Sequence, residues 1–326
     1  CISFDRFIDT CSIWCLAIDI LELKNFNLQH GIIHIPMELP WSSPGFVNVY
    51  FIEDKDGYVM IDCGVNGIEY QELLESKMKS FGLSYENVKL LIGTHMHSDH
   101  IGLSSTLREK DIPFALYKNS VDFIDSYNDW SIRFKKLKEF AKREGAPESF
   151  LNDLDEMVTP IYAGKISKPD VLLDEGNIKN VNRNIEIIFT PGHDKTEISI
   201  LDNPSQILFS GDHILPKITP FIPSDDAGED MLEQYTSSLD KVYNLEQKLI
   251  APGHGTIIEK PYSRIEQMQL HHKKRSDKII ALIGDSKFSG WEIVNLLFPR
   301  ELDALNLRLA FQETMAHLIS VSYTHL

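Results

Sequence analysis

The chain has 326 residues, 43% of them hydrophobic and 25% charged, a globular balance that excludes disordered, fibrous and collagen-like classes. Its 48 acidic and 32 basic residues leave a net charge of −16. So negative a surface repels phosphate backbones and disfavours general nucleic-acid binding, although a local basic site stays open. No uninterrupted apolar run approaches the ~20 residues of a membrane span, and no membrane partner is expected.

Cys1, Cys11, Cys15 and Cys63 are too few and too clustered for a disulfide framework. Reduced thiols and a cytoplasmic setting are the expectation, and Cys11 and Cys15 have no second pair with which to bind a metal. The chain opens on Cys1 rather than Met. Residues 1–29 carry an apolar patch interrupted by Asp19, without the basic run or cleavage site of a secretory signal, and read as an appendage. Residues 321–326, Val-Ser-Tyr-Thr-His-Leu, match the translation of a common sequencing-adapter end. They are expected to be an artefact, with the natural protein running past Val321.

Between these ends, strands and helices alternate. Residues 31–35, 46–53 and 58–61 read as strands, the last two joined by a turn at 54–57. Residues 68–81 read as a helix, 88–92 as a short apolar strand running into a histidine-rich loop, and 113–117 as another strand. Residues 185–189, 197–201 and 206–209 repeat the strand pattern, each followed by a polar loop. Met231, Tyr235, Leu239 and Val242 follow helical spacing, and 249–251 is a last strand. Layered sheets and helices over 30–260 are expected. Residues 118–159 break the rhythm with a helical pattern that sets Trp130, Phe134, Leu137 and Ala141 on one face. This insertion is either an ordinary packed unit or a lid over a substrate pocket.

The chemistry begins at Thr94-His95-Met96-His97-Ser98-Asp99-His100. Two histidines at i and i+2 after a strand can face one metal, and the aspartate and third histidine fall where a helix begins. A His-x-His-x-Asp-His run arises by chance in about one chain in a thousand of this composition. Neutral imidazole and carboxylate suit zinc, and also iron or manganese. Three more polar residues follow apolar strands: His193 in Thr190-Pro191-Gly192-His193, Asp212 in Ser210-Gly211-Asp212, and His254 in Pro252-Gly253-His254.

This constellation resembles the metallo-β-lactamase-fold hydrolases over residues 31–260, with the motifs in the family's order. The resemblance implies an α+β fold, an αββα sandwich with metals at one edge of the sheets. It implies two divalent ions, zinc before iron or manganese. His95, His97 and His193 would hold the first, Asp99, His100 and His254 the second, and Asp212 would bridge them. Asp62, in Ile61-Asp62-Cys63-Gly64, matches a strand-end aspartate beside the site, where the family usually has Thr at the position of Cys63. The true β-lactamases lack the bridging aspartate, so Asp212 points toward the hydroxyacylglutathione hydrolase and lactonase branch. The segment Asp194-Lys195-Thr196-Glu197 departs from the commoner small-residue and glycine run.

The implied mechanism is attack by a metal-bridging hydroxide, with Asp99 orienting the nucleophile and taking its proton while remaining a ligand. The expected substrate is a small acyl compound, a thioester such as an acylglutathione, or a lactone. The alternative is a phosphodiesterase or ribonuclease. A third reading makes the tail a DNA-binding module with the metal domain as sensor. No Gly-x-Ser-x-Gly elbow is present. His30, His34, His271, His272, His317 and His325 read as ordinary surface or core residues, and His213 as either a site or a core residue. Trp41 and Lys217 are candidate substrate contacts. Residues 261–320 read as three helices of a degenerate winged-helix-like tail, Ser289 capping the second. The basic run His271-His272-Lys273-Lys274-Arg275 reads as a solvated helix face before it reads as a nucleic-acid contact.

Overall fold

The computed structural model describes residues 29–325 except 158, 180, 225–227 and 285. The appendage at 1–28, with Cys1, Cys11 and Cys15, and Leu326 lie outside the described residues.

One six-stranded sheet runs in the order β1 (Ile32–Glu38), β2 (Phe46–Asp54), β3 (Gly57–Ile61), β4 (Val88–Ile92), β5 (Phe114–Tyr117) and β6 (Val171–Leu173). The first three pair antiparallel and the rest in parallel. The second sheet has the order β11 (Leu249–Pro252), β10 (Ile207–Gly211), β9 (Ile198–Asp202), β8 (Ile185–Phe189) and β7 (Gly176–Asn177), with only β10 and β11 parallel. The strands expected from apolar runs are present. β6 and β7, with three and two residues, are too short to announce themselves in the sequence.

Strand alternation builds the layers. In β2, Tyr50 and Ile52 face the other sheet, where they meet Ile187, Ile200 and Phe209. Val47, Val49 and Phe51 face the opposite way, onto Leu74 and Met78 of α1 (Ile68–Ser80). In β10, Leu208 faces outward onto Leu232, Tyr235 and Leu239 of α7 (Met231–Tyr243), while Ile207 and Phe209 face in. Helix, sheet, sheet and helix stack in that order, as an αββα sandwich. Each fully buried large side chain contributes roughly 1.5–3 kcal/mol relative to exposure.

Short helices α2 (Ser98–Ile101) and α3 (Ser104–Arg108) follow β4. The span 118–159 forms α4 (Ile124–Asn128), α5 (Trp130–Arg143) and α6 (Glu148–Glu156) after a 3-10 turn. Beyond the last strand come α8 (Pro261–Ile283), α9 (Gly290–Leu297), whose first turn Ser289 caps, and α10 (Ala304–His325). Phe134, Leu137, Phe140 and Phe150 of the insertion share an apolar cluster with Val294, Phe311 and Met315 of these tail helices. Ile265, Met268 and Ala316 of the tail pack beneath α7 and the second sheet. Among the described residues, no helix is long and apolar enough to cross a membrane.

Buried imidazoles also join the tail helices. His272 of α8 and His317 of α10 stack with ring centroids 5.4 Å apart, Nδ1 and Nε2 lying 3.4 Å from each other. Burial, with His271 and Arg275 nearby, lowers His272 to about 3, and burial with His272 lowers His317 to about 2. An unfolded histidine titrates near 6.5, so below that pH the unfolded chain binds protons that the native pair refuses. The pair's contribution is full above pH ~6.5 and is lost as pH falls toward 3. Thermal melts between about pH 7 and pH 4 should show falling stability, with a shallower slope in His272→Gln. An identical slope in that variant would show that the pair contributes nothing to acid lability.

Candidate metal centre

The polar residues following β3, β4, β8, β10 and β11 collect at one edge of the sandwich. β4 delivers Thr94 to His97, and α2 starts at once, turning Asp99 and His100 back over the strand end. β8 delivers His193, β10 delivers Asp212, and β11 delivers His254. Gly253 permits the last approach, because a Cβ there would lie 2.6 Å from Asp212 Oδ1 and 2.7 Å from His100 Cε1.

All seven residues expected to ligate metal converge. His97 Nδ1 lies 3.0 Å from His95 Nε2 and 3.1 Å from His193 Nε2. His254 Nε2 lies 3.2 Å from Asp99 Oδ2, and His100 Nε2 lies 3.9 Å from that same oxygen. Asp212 stands between the two sets. Its Oδ2 is 3.6 Å from His193 Nε2 and 3.5 Å from His254 Nε2, while its Oδ1 is 3.5 Å from His100 Nε2. Tetrahedral donors around a zinc ion sit about 3.3 Å apart, given metal–nitrogen bonds near 2.05 Å. Three groups of donor atoms, each within 4.8 Å of one another, follow: His95, His97 and His193; His95, His100 and Asp212; and Asp99, His100 and His254.

The ring nitrogens facing away from this cluster fix how the imidazoles present themselves. His193 Nδ1 donates to the Phe221 carbonyl and His254 Nδ1 to the Phe46 carbonyl, both at 2.7 Å. His100 Nδ1 donates to Asp62 Oδ2 at 2.7 Å. Thr94 donates its hydroxyl to Asp62, so its oxygen accepts from His95 Nδ1 at 3.0 Å. With the outer nitrogens carrying hydrogen, the inner ones present lone pairs. Those lone pairs face each other and the carboxylates of Asp99 and Asp212. His100 Nε2 and Asp212 Oδ1 are buried without a hydrogen-bond partner. Buried acceptors aimed at one another are stabilised by positive charge between them, a proton or a metal ion. The residues therefore fit a divalent metal site.

The carboxylates of the cluster favour positive charge among them, as a proton or as a metal ion. Burial alone would depress His254, yet the Asp212 and Asp99 carboxylates hold it up at about 10. Burial, then His193, pushes His97 down to about 3. Burial would raise Asp212, but His254 and His100 hold it well below the usual carboxylate range.

Asp62 ties together the two ends of the 94–100 loop and does so in a left-handed conformation, φ 59°, which is uncommon outside glycine. Its carboxylate accepts the Thr94 backbone N–H at 2.8 Å as well as the Thr94 hydroxyl and His100. Other residues supporting the site did not stand out in the sequence. Asn48, a buried amide inside the apolar strand β2, donates to the Pro252 and Gly255 carbonyls and so clamps the His254 loop. Its polarity in an apolar run was the available signal.

The remaining candidates sort by position. Trp41 is half-buried, with its ring 5.0 Å from Tyr162. The turn at Ile161–Ala163, which carries Tyr162, packs against α2, which carries Asp99 and His100. Lys217 is exposed. His213 is buried against Tyr235, ring centroids 5.2 Å apart, and is not among the converging donors. In the basic run, His272 is buried, Arg275 pairs with Glu313 at 2.6 Å and Lys273 with Asp277 at 2.6 Å.

A family model described as the metallo-beta-lactamase superfamily matches residues 42–254. Probable metallo-hydrolase YqjP of Bacillus subtilis is 22% identical over 295 residues, 88% of this chain and 91% of its own length. Atrochrysone carboxyl ACP thioesterase of Aspergillus fumigatus is 30% identical over 235 residues, 72% of this chain and 58% of that protein. A crystal structure of a metallo-beta-lactamase family protein from Thermus thermophilus superposes with a TM-score of 0.75 at 25% identity, covering 91% of this chain and 95% of that one. With well over half of its length under one family model, the chain belongs to the metallo-beta-lactamase superfamily and is a metal-dependent hydrolase.

Proposed function

We propose that the protein hydrolyses a small acyl compound, a thioester first and a lactone second, at a pair of divalent metal ions, with zinc the first choice. The observation that carries this reading is the position of Asp212, one carboxylate within 3.6 Å of a donor from each of two nitrogen sets. A single ion needs no such shared carboxylate.

When bound, the metal pair would acidify water to near neutrality and polarise the bond under attack. The chain's own residues do the rest. Asp99 is the more open of the two carboxylates, 16% exposed against 10% for Asp212, and so is the group to orient the nucleophile and accept its proton. The hydrogen bonds from His193 and His254 to carbonyl groups and from His100 to Asp62 hold three ligands in one tautomer. Trp41 and Tyr162 would offer an apolar wall to an acyl group beside Asp99.

The acyl reading is favoured over phosphodiester cleavage by the net charge of −16 and, within the basic run of the tail, by the burial of His272 and the pairing of Lys273 and Arg275 with acidic residues. The name of the fungal thioesterase relative supports the same direction. A cytoplasmic setting is part of this proposal and rests on the scarcity of cysteines, of which Cys63 is buried and free.

Two tests follow. Metal-loaded protein offered an acylglutathione, a lactone and an activated phosphodiester should cleave one of the acyl substrates in a chelator-sensitive way. It should also show no salt-dependent retention of RNA. Preferential phosphodiester cleavage, with RNA binding that weakens steeply as salt rises, would move the assignment to a nuclease. Asp212→Ala should lose bound metal and reduce turnover by more than about two orders of magnitude, as read by elemental analysis and steady-state rates. Full activity with two metals retained would reject the assignment of Asp212.

A further inference from the structure

The segment after His193 departs from the small residues more common there, and the structure shows where its acidic side chains go. Glu197 is fully buried. Its Oε1 accepts the backbone N–H of Asp212 at 2.9 Å and lies 3.9 Å from His95 Nδ1, while Oε2 is buried without a partner. Asp194 is 3% exposed. Its Oδ1 accepts the Thr196 amide and hydroxyl, both at 2.7 Å, and its Oδ2 accepts the hydroxyl of Tyr127 from α4 and lies 3.9 Å from His97 Nε2.

Two carboxyl groups in a dry interior are costly unless positive charge is near. Neither is in an ion pair with a lysine or arginine among the described residues; their recorded ionic neighbours are His95 and His97. Those two imidazoles, with His193, form a donor set made of imidazoles alone, whereas the other set includes the Asp99 carboxylate and His100, which is backed by Asp62. Glu197 and Asp194 approach the first set from behind, at 3.9 Å from His95 Nδ1 and His97 Nε2. Glu197 also holds the main chain of the shared Asp212, and Tyr127 ties Asp194 to the helical insertion.

We propose that Glu197 and Asp194 are positioning residues for the metal held by His95, His97 and His193. Glu197 fixes Asp212 and faces His95, while Asp194, steadied by Tyr127, faces the outer nitrogen of His97. This inference rests on the ligand assignment proposed above. It predicts that the insertion acts on metal affinity, beyond any role as a cover.

The test measures zinc binding alone, by competition with a chromophoric chelator, in Glu197→Gln, Asp194→Asn and Tyr127→Phe, together with melting of each metal-free protein. Glu197→Gln and Asp194→Asn should each weaken zinc binding at one site by about 10- to 100-fold, the usual cost of removing a group that orients a ligand. Tyr127→Phe should weaken it less, and the metal-free melts should stay unchanged. Lys195→Ala, in the same loop but paired with Glu229, should bind zinc as the unaltered protein does. Unaltered affinity in the folded Glu197→Gln and Asp194→Asn variants would overturn the inference. If Asp194→Asn fails to fold, Glu197→Gln and Tyr127→Phe decide it on the same readout. Absence of zinc binding by the unaltered protein would instead defeat the ligand assignment itself.

Discussion

The constraint on which this structure turns is electrostatic. Imidazoles and two carboxylates meet at one sheet edge, at separations of 3.0 to 3.9 Å, with the outer nitrogens of His95, His100, His193 and His254 already hydrogen-bonded elsewhere. Facing lone pairs and like charges in such a cluster repel one another unless positive charge, a proton or a metal ion, sits among them. The architecture around it holds five chain segments against that repulsion. The αββα core supplies rigidity, and Gly253 and left-handed Asp62 supply the backbone paths that let the segments approach.

Support for the cluster comes from distant parts of the chain. The Phe46 carbonyl orients His254 from the first sheet, and the Phe221 carbonyl orients His193 from the segment before α7. That segment is held in turn by the tail, since Arg264 of α8 donates to the carbonyls of Leu215 and Ile218 at 2.6 and 2.7 Å. The insertion and tail share an apolar cluster through Phe140, Phe150 and Phe311. Insertion, tail and site are therefore linked: Tyr127 reaches Asp194 beside His193, and Arg264 holds the segment that leads to the Phe221 carbonyl.

The residues proposed to ligate metal were legible in the sequence because each is a chemically distinctive side chain placed just after an apolar run. His95, His97, Asp99, His100, His193, Asp212 and His254 all reach the cluster. The strands and the longer helices were legible for the same reason, a period of two or of 3.6 residues. What stayed hidden has physical causes. β6 and β7 are shorter than any periodic signal. The carbonyls that orient His193 and His254 belong to no particular residue type, so Phe46 and Phe221 carry no mark. Asn48 and Glu197 did break local patterns, one an amide in an apolar strand and the other an acid in place of a small residue, but only the folded chain shows what each one holds.

The central claim is that this cluster encloses two cations sharing Asp212. Crystals of the metal-loaded protein, measured on both sides of the absorption edge of the bound metal, test it most directly. Two anomalous peaks about 3.5–4 Å apart are expected, one among His95, His97 and His193, the other among Asp99, His100 and His254, with Asp212 between them. A single peak, or peaks lying away from these residues in protein saturated with metal, would contradict it.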